Sequence, residues 1–284
     1  MITDEPPRLN GRGVSVDDIE VQLLLEGLVQ HTGYDFRSYD PSVIKRRVER
    51  ALSAEGLRTI SELQGQALHD DACLARVLKA LARRQISMFG EPALFRDVRT
   101  TIVPLLRTYP FLRIWNAGCS TGEDAYALAI ILEEAGIYAR CRIYATGANR
   151  DLIDGARAGS YDPESMAEWQ QNYAASGGTG ALSDYVSIDG GAARIDPQLR
   201  RNIVFAHHNI VSDVSFNEFH LIFCPGLLIQ FNMELQSRVH GVLYASLIRL
   251  GFLAVGKDES IAASPYAQAY RRVDTDSNVY RRAR

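Results

Sequence analysis

Residues 113–136 constrain the fold of this chain more than any other stretch. The apolar run that opens it, 112–117, predicts a buried strand, and a turn of small residues follows at 118–122. An apolar-periodic helix is predicted from Glu123 to a stop at Gly136. Strand, glycine turn and helix in this order form the first unit of a nucleotide-binding α/β sheet, in which N–H groups at the helix start face the ligand. We expect a ligand at this turn beside the Glu123 carboxylate, although such turns also serve purely structural roles.

The alternation of strands and helices continues beyond this unit. Further strands are predicted at 141–146, 202–207, 218–224 and 251–256, and further helices at 149–158 and 234–249. This order predicts an α/β fold with a mostly parallel sheet and ligands at the carboxyl ends of its strands. Five glycines within 174–194 interrupt the alternation and predict a turn-rich insertion, either a small hairpin or a flexible loop.

The sequence before this unit has a helical pattern. Residues 1–13 are polar and predict a flexible leader. Helices are predicted from Val16 to Gly33, from Asp40 to Glu55, over 74–84 and, as a linking helix, over 92–109. We therefore expect a helical N-terminal domain at 14–90 and an α/β domain at 91–284.

The second predicted helix carries a cluster of four basic residues. They are Lys45, Arg46, Arg47 and Arg50. One interpretation is a solvated helix face, and the other is a docking surface for an acidic partner such as a signalling protein or receptor tail.

Composition excludes several classes of protein. A net charge of −3 gives no reason to expect a nucleic-acid partner. No apolar run reaches the ~18 residues that a membrane-spanning helix needs, and no signal peptide is recognisable. The four cysteines are widely spaced and predict reduced core residues of a cytoplasmic protein, with no metal site.

The order of these segments resembles the CheR-type chemotaxis receptor methyltransferases, which use S-adenosylmethionine to methylate receptor glutamates. Residues 115–129, WNAGCSTGEDAYALA, resemble the family's Trp-x-Ala-x-x-Ser-Thr-Gly-Glu-Glu-Pro-Tyr-Ser-Leu-Ala turn, and residues 33–52 are similar to its helical N-terminal domain. The resemblance covers residues 30–284. It implies a small helical domain, then a Rossmann-like class I methyltransferase domain whose inserted β excursion, at about 174–194 here, grips a receptor tail in some members.

The resemblance also implies a set of residues that bind S-adenosylmethionine. They are Gly118, Ser120, Thr121, Gly122, Glu123, Asn209 and Ile210. Other polar positions of the family are replaced here: Gly90 and Gln230 stand for an arginine and a tyrosine, and Gly147 for an aspartate that contacts the ligand. Pro225 and Gly226 likewise replace an Arg-Asn pair. Each lost hydrogen bond to a charged group costs about 1.5–3 kcal/mol, so donor binding is expected to be weak and we assign no catalytic residue.

Three functions are compatible with this pattern. The first is a pseudoenzyme that binds a partner or an altered small-molecule or nucleotide ligand, with Arg84 as one anion-binding candidate and a larger, less polar pocket. The second is an active S-adenosylmethionine-dependent protein-glutamate O-methyltransferase, in which Tyr126 or Tyr161 would replace the lost tyrosine. The third, hydrolytic or redox chemistry, would use histidines near the strands or Cys224, although they lack triad spacing.

Overall fold

The structure, a computed structural model, describes residues 15–82, 86–262, 264–275 and 277–283. The predicted leader at 1–13, Arg84 and Gln85 lie outside the described residues. Contacts between Cα atoms divide the chain into two units, Met1–Leu81 and Ala82–Arg284.

The first unit is helical. Its helices are α1 (Val16–Thr32), α2 (Pro41–Ala54), α3 (Ile60–His69) and α4 (Asp71–Ala82). Ser15 and Asp40 cap α1 and α2, each accepting a backbone N–H of the first turn. Helix α3 was not predicted from the sequence; it begins with a capping box between Thr59 and Glu62.

The second unit contains two sheets. Its strands are β1 (Leu112–Ala117), β2 (Cys141–Gly147), β3 (Ser160–Tyr161), β4 (Val186–Asp189), β5 (Ala192–Ile195), β6 (Ile203–His207), β7 (Phe219–Phe223), β8 (Leu247–Ala254), β9 (Tyr270–Arg272) and β10 (Val279–Arg282). Seven of them form one sheet in the order β6-β2-β1-β7-β8-β10-β9. The first five are parallel, and β10 runs antiparallel to both β8 and β9. The predicted mostly parallel sheet is confirmed, and β1 is the middle one of its five parallel strands.

Helices of the second unit accompany this sheet. They are α5 (Pro92–Asp97), α6 (Val103–Leu106), α7 (Glu123–Glu134), α8 (Arg150–Ala158), α9 (Ser165–Ala175), α10 (Pro197–Arg200) and α11 (Met233–Ala245). The predicted linking helix is interrupted by a π-helical turn, Val98–Ile102, just before Pro104, which cannot donate a helical hydrogen bond. The prediction for 234–249 is wrong at its end, because β8 begins at Leu247.

The predicted insertion contains a hairpin. Strands β4 and β5 pair in antiparallel fashion through a tight turn at Gly190 and Gly191, both in the left-handed region. Strand β3 pairs with β5 to complete a three-stranded sheet with β5 in the middle and β4 at an edge.

Most of α7 is buried in the core of the second unit, from Glu123 to Leu132. The four cysteines are buried and none forms a disulfide, as the sequence predicts. Among the described helices, none combines the length and apolar composition that a membrane span requires.

Candidate functional site

The glycine turn lies at the carboxyl end of β1, the middle one of the five parallel strands. Gly118 and Gly122 have φ angles of 72° and 97°, which favour glycine. A Cβ atom at Gly118 would lie 2.6 Å from Cδ1 of Leu227, and one at Gly122 would lie 2.8 Å from Cβ of Ala156. The glycines are therefore required by both backbone conformation and close packing.

Glu123 is the first residue of α7, directly after this turn. It is only 7% exposed, and its charge is favourable at a helix N-terminus. The hydroxyl of Tyr161 donates a hydrogen bond to the carbonyl of Thr121 at 2.7 Å. Burial raises the pKa of Tyr161 well above its usual value, and the nearby Glu123 carboxylate adds to the shift. The predicted Glu123 carboxylate thus lies beside the turn and near Tyr161 of β3.

Asn209 and Ile210 follow β6, two strands away from β1 at the same edge of the sheet. Asn209 accepts the N–H of Val211 on its side-chain oxygen (3.1 Å) and donates its own N–H to the Asp213 carboxylate (2.8 Å). Ile210 is buried. Among the described residues, the Asn209 side-chain amide nitrogen has no hydrogen-bond partner, so its two N–H groups remain for a ligand. Whether these residues and the glycine turn bind S-adenosylmethionine stays a prediction.

The end of β2 is closed by the glycine turn. Cys119 donates its N–H to the carbonyl of Thr146 at 2.7 Å. A Cβ atom at Gly147 would lie 2.2 Å from the carbonyl oxygen of Cys119, far inside van der Waals contact. Asn149 is buried and caps α8 by accepting the N–H of Leu152 at 3.0 Å. No side chain can replace the glycine here unless the turn moves.

A carboxylate that the sequence analysis did not single out organises the loops after β7 and β8. Glu259 accepts four backbone N–H groups, from Gly226 (2.8 Å), Leu228 (2.6 Å), Ile229 (3.0 Å) and Gly256 (2.6 Å). The available signal in the sequence was the position of Glu259, three residues after Gly256, a glycine that follows β8. Three of its four partners lie 30 to 33 positions upstream, and their pairing is visible only in the fold.

Gln230, which replaces the family's tyrosine, is folded back onto the main chain. Its side-chain amide donates to the carbonyl of Gly226 at 2.7 Å, and the residue is buried. Tyr126, the other tyrosine weighed as a replacement, donates to the carbonyl of Ala156 inside the core.

The segment before α5 has a strained backbone at Phe89. This fully buried residue has a φ of 55°, and its ring packs edge-on against Phe95 and Tyr173. At the next position, a Cβ on Gly90 would lie 2.9 Å from the carbonyl oxygen of Ser87. The chain is therefore tightly turned where the family has its arginine.

Two cavities lie at or near the carboxyl end of β8. One of about 210 Å³ is lined by Gly90, the start of α5, Val255, Lys257 and Asn278. The other, of about 300 Å³, lies between the segments that follow β7 and β8. The residues that line these two cavities do not include the glycine turn, Glu123 or Asn209.

The histidines near the strands bind backbone groups. His207 lies 2.8 Å from the carbonyl oxygen of Ala148 through its Nε2, and His220 accepts the N–H of Arg113 at 3.1 Å on Nδ1. His208 lies 3.1 Å from the carbonyl oxygen of Val214 through its Nε2. These contacts assign the three side chains structural roles.

The basic cluster on α2 is not a continuous surface. Arg47 is buried and donates to the carbonyl of Leu81 at 2.5 Å, so its prediction as a docking residue is wrong: it faces the core of the unit. Lys45 pairs with Asp18 at 2.8 Å, which raises the pKa of Lys45. Arg46 and Arg50 are exposed.

The sheet order, the antiparallel strands at one edge and the glycine turn after β1 define a Rossmann-like methyltransferase fold. Known protein families then identify the family within this fold. The model described as "CheR methyltransferase, SAM binding domain" matches residues 85–276, and the "CheR methyltransferase, all-alpha domain" matches residues 19–82. The chain belongs to the CheR methyltransferase family.

Individual relatives agree with this assignment. The chain is 39% identical to the protein Cher3 of Pseudomonas putida KT2440, over 94% of this chain and 97% of that protein. It is 23% identical to chemotaxis protein methyltransferase 1 of Pseudomonas aeruginosa PAO1, over 95% and 100% of the two chains. Magnesium protoporphyrin IX methyltransferase of Synechocystis PCC 6803 is similar at 12% identity over 95% and 100% of the two chains. The TM-score is 0.35, a likeness too weak to support an inference.

Proposed function

We propose that this CheR-family chain does not transfer methyl groups and instead acts in the cytoplasm as a ligand- or partner-binding module of a signalling pathway. Its site would lie in the methyltransferase-like domain, residues 91–284. The proposal depends on residues that the family uses to hold S-adenosylmethionine and that are replaced here.

The observation that carries the proposal is the contact between Gly147 and Cys119. The family's ligand-binding aspartate belongs at Gly147, but a Cβ there would lie 2.2 Å from the Cys119 carbonyl oxygen. The carboxylate is therefore absent, and the glycine turn occupies its space. The residues present here do not fit the ribose end of S-adenosylmethionine in the way that the family's residues do.

Two further positions support the same proposal. The Gln230 amide is held by backbone carbonyls of the loop after β7, which leaves it poorly placed to act beside a reacting methyl group. The tight turn at Gly90 leaves little room for an arginine that could orient an acceptor carboxylate.

Calorimetric titration of the full chain with S-adenosylmethionine and S-adenosylhomocysteine tests the proposal. We expect no measurable heat with either compound, and no transfer of a labelled methyl group to a receptor preparation. Micromolar binding together with methyl transfer would overturn the proposal. Binding without methyl transfer would support the loss of catalysis but would show that the chain still binds S-adenosylmethionine.

The alternative is an active S-adenosylmethionine-dependent protein-glutamate O-methyltransferase that acts on chemoreceptors. The glycine turn, the buried Glu123 and the two side-chain N–H groups of Asn209 favour it. In this case transfer would need alignment of the methyl group more than a general base, because the acceptor carboxylate is already an anion.

Two surfaces are candidates for a partner under either function. Arg46 and Arg50 are the exposed basic residues of α2, and edge strand β4 carries Ile188, whose exposed fraction is 57%. An extended receptor tail could add a strand to this edge. Capture of a receptor preparation by the Arg46→Glu/Arg50→Glu and Ile188→Asp variants would show which surface is used, and unchanged capture by both would exclude these surfaces.

A further inference from the structure

The cavity of about 300 Å³ lies at the carboxyl ends of β7 and β8, two adjacent parallel strands. Ligands of open α/β sheets bind at this edge. The apolar lining of the cavity comes from Leu228 and Ile229 in the turn after β7 and from Ala262 in the loop after β8. The volume suits a small molecule, at the lower end of ligand pockets.

The walls of this cavity are held in place by their own hydrogen bonds. Glu259, which also lines it, binds N–H groups of both flanking loops, including those of Leu228 and Gly256. Gln236 on α11 donates its side-chain amide to the carbonyl of Phe231 at 2.9 Å. The charge of Glu259 is therefore balanced by amide dipoles, and the shape of the cavity does not depend on a ligand.

Asp258 supplies a second carboxylate, and its situation is different. It is exposed at the cavity, and within the described ranges it has neither a hydrogen bond nor an ion pair. The described lining includes no lysine, arginine or histidine. A cation at this position gains attraction from Asp258, whereas an anion meets this carboxylate and no basic side chain.

We infer that this cavity binds a primary amine on an apolar stem, with the stem against Leu228, Ile229 and Ala262 and the ammonium group beside Asp258. The inference deepens the proposed function, on which it rests, because it names the ligand class that the altered edge accepts. The charge of this amine is opposite to that of a glutamate acceptor. It is also opposite to that of the anionic ligand for which Arg84 was a candidate.

Matched probes with the same six-carbon stem test the sign of the charge: hexylammonium, hexanoate and hexanol. Titrated to about 10 mM into the isotopically labelled full chain, hexylammonium should shift the amide resonances of 228–229 and 258–262 in NMR spectra. Hexanoate should bind about tenfold more weakly, and hexanol in between. Equal or tighter binding of hexanoate, or no shifts with any probe, would overturn the inference.

Two variants locate the interaction. Asp258→Asn should weaken hexylammonium binding about fivefold, since the carboxylate is solvent-exposed. Asp151→Asn, which removes an exposed carboxylate in the first turn of α8, should leave the affinity unchanged. Unchanged affinity in Asp258→Asn would overturn the assignment. Methyl transfer by the same sample would overturn the proposed function while leaving amine binding intact, so the two failures are distinguishable.

Discussion

Gly147 shows how little room remains at the end of β2. A methyl group there would overlap the carbonyl oxygen of Cys119, a backbone atom of the glycine turn. We expect Gly147→Ala to lower the free energy of unfolding by about 1–3 kcal/mol, because the turn must shift. Urea denaturation measures this change.

Gly155 in α8 is the matched control for this substitution. A Cβ atom at Gly155 meets nothing within 4 Å, and the residue lies inside a helix. Gly155→Ala should therefore raise the free energy of unfolding by about 0.5–1 kcal/mol. If both variants were stabilised, the crowding at Gly147 would be disproved, and with it the main support for a lost donor site.

His240 makes stability depend on pH. Burial lowers the pKa of this 2% exposed side chain from 6.5 to about 4. The unfolded chain therefore binds more protons between these values, so the stabilising contribution is complete above pH 6.5 and is lost as the pH falls towards 4. Its full size is roughly 3 kcal/mol, since one pKa unit corresponds to about 1.36 kcal/mol.

Denaturant unfolding at several pH values compares the parent chain with His240→Leu. The variant should show a flatter dependence of the free energy of unfolding on pH below 6.5. Some slope remains from His220, whose pKa is also lowered by burial. Superimposable pH profiles would contradict the role of His240.

Residues whose roles depend on neighbours in sequence were predictable. Gly118, Gly122 and Glu123 stand where a turn between a strand and a helix requires them. Glu259 was not predictable, since its four partners belong to two loops that meet only in the fold. The same limit explains Arg47, which a helical pattern alone did not distinguish from its exposed neighbours Arg46 and Arg50.

At the scale of elements, the capping box of α3 fixes the start of a short helix. Thr59 accepts the N–H of Glu62 at 3.2 Å, and the Glu62 carboxylate accepts the N–H of Thr59 at 3.1 Å. Thr59→Ala should cost about 1 kcal/mol of stability, whereas Thr59→Ser should retain most of it. Thermal unfolding followed by circular dichroism checks both variants, and equal loss in Thr59→Ser would argue against the cap.

Four strands, β1, β2, β6 and β7, were predicted closely because their apolar runs are short and clearly bounded, whereas β8 begins four residues before its predicted start at 251. β1 agrees with its prediction at both ends, and β2 and β6 agree within one residue. Helices α3 and α9 were missed. Five of the eleven residues of α9 are polar, and its place in the structure depends on burying Trp169 and Tyr173. Such tertiary burial has no local signal.

For the whole molecule, the proposed loss of donor binding has a thermodynamic counterpart. A ligand at 1,000 times its dissociation constant stabilises a folded chain by about 4 kcal/mol. At about 1 mM S-adenosylhomocysteine, micromolar binding would therefore shift urea unfolding clearly, and we expect no shift. A shift of this size would show that the glycine turn, Glu123 and Asn209 suffice for the ligand.

The four backbone hydrogen bonds that Glu259 accepts affect how fast a ligand associates with the cavity. Since one carboxylate ties the loops after β7 and β8 together, a molecule arriving there meets a surface that is already ordered and needs no preceding rearrangement. Association would then be governed by diffusion and by the local field, and differences among related ligands would appear mainly in how long each one stays.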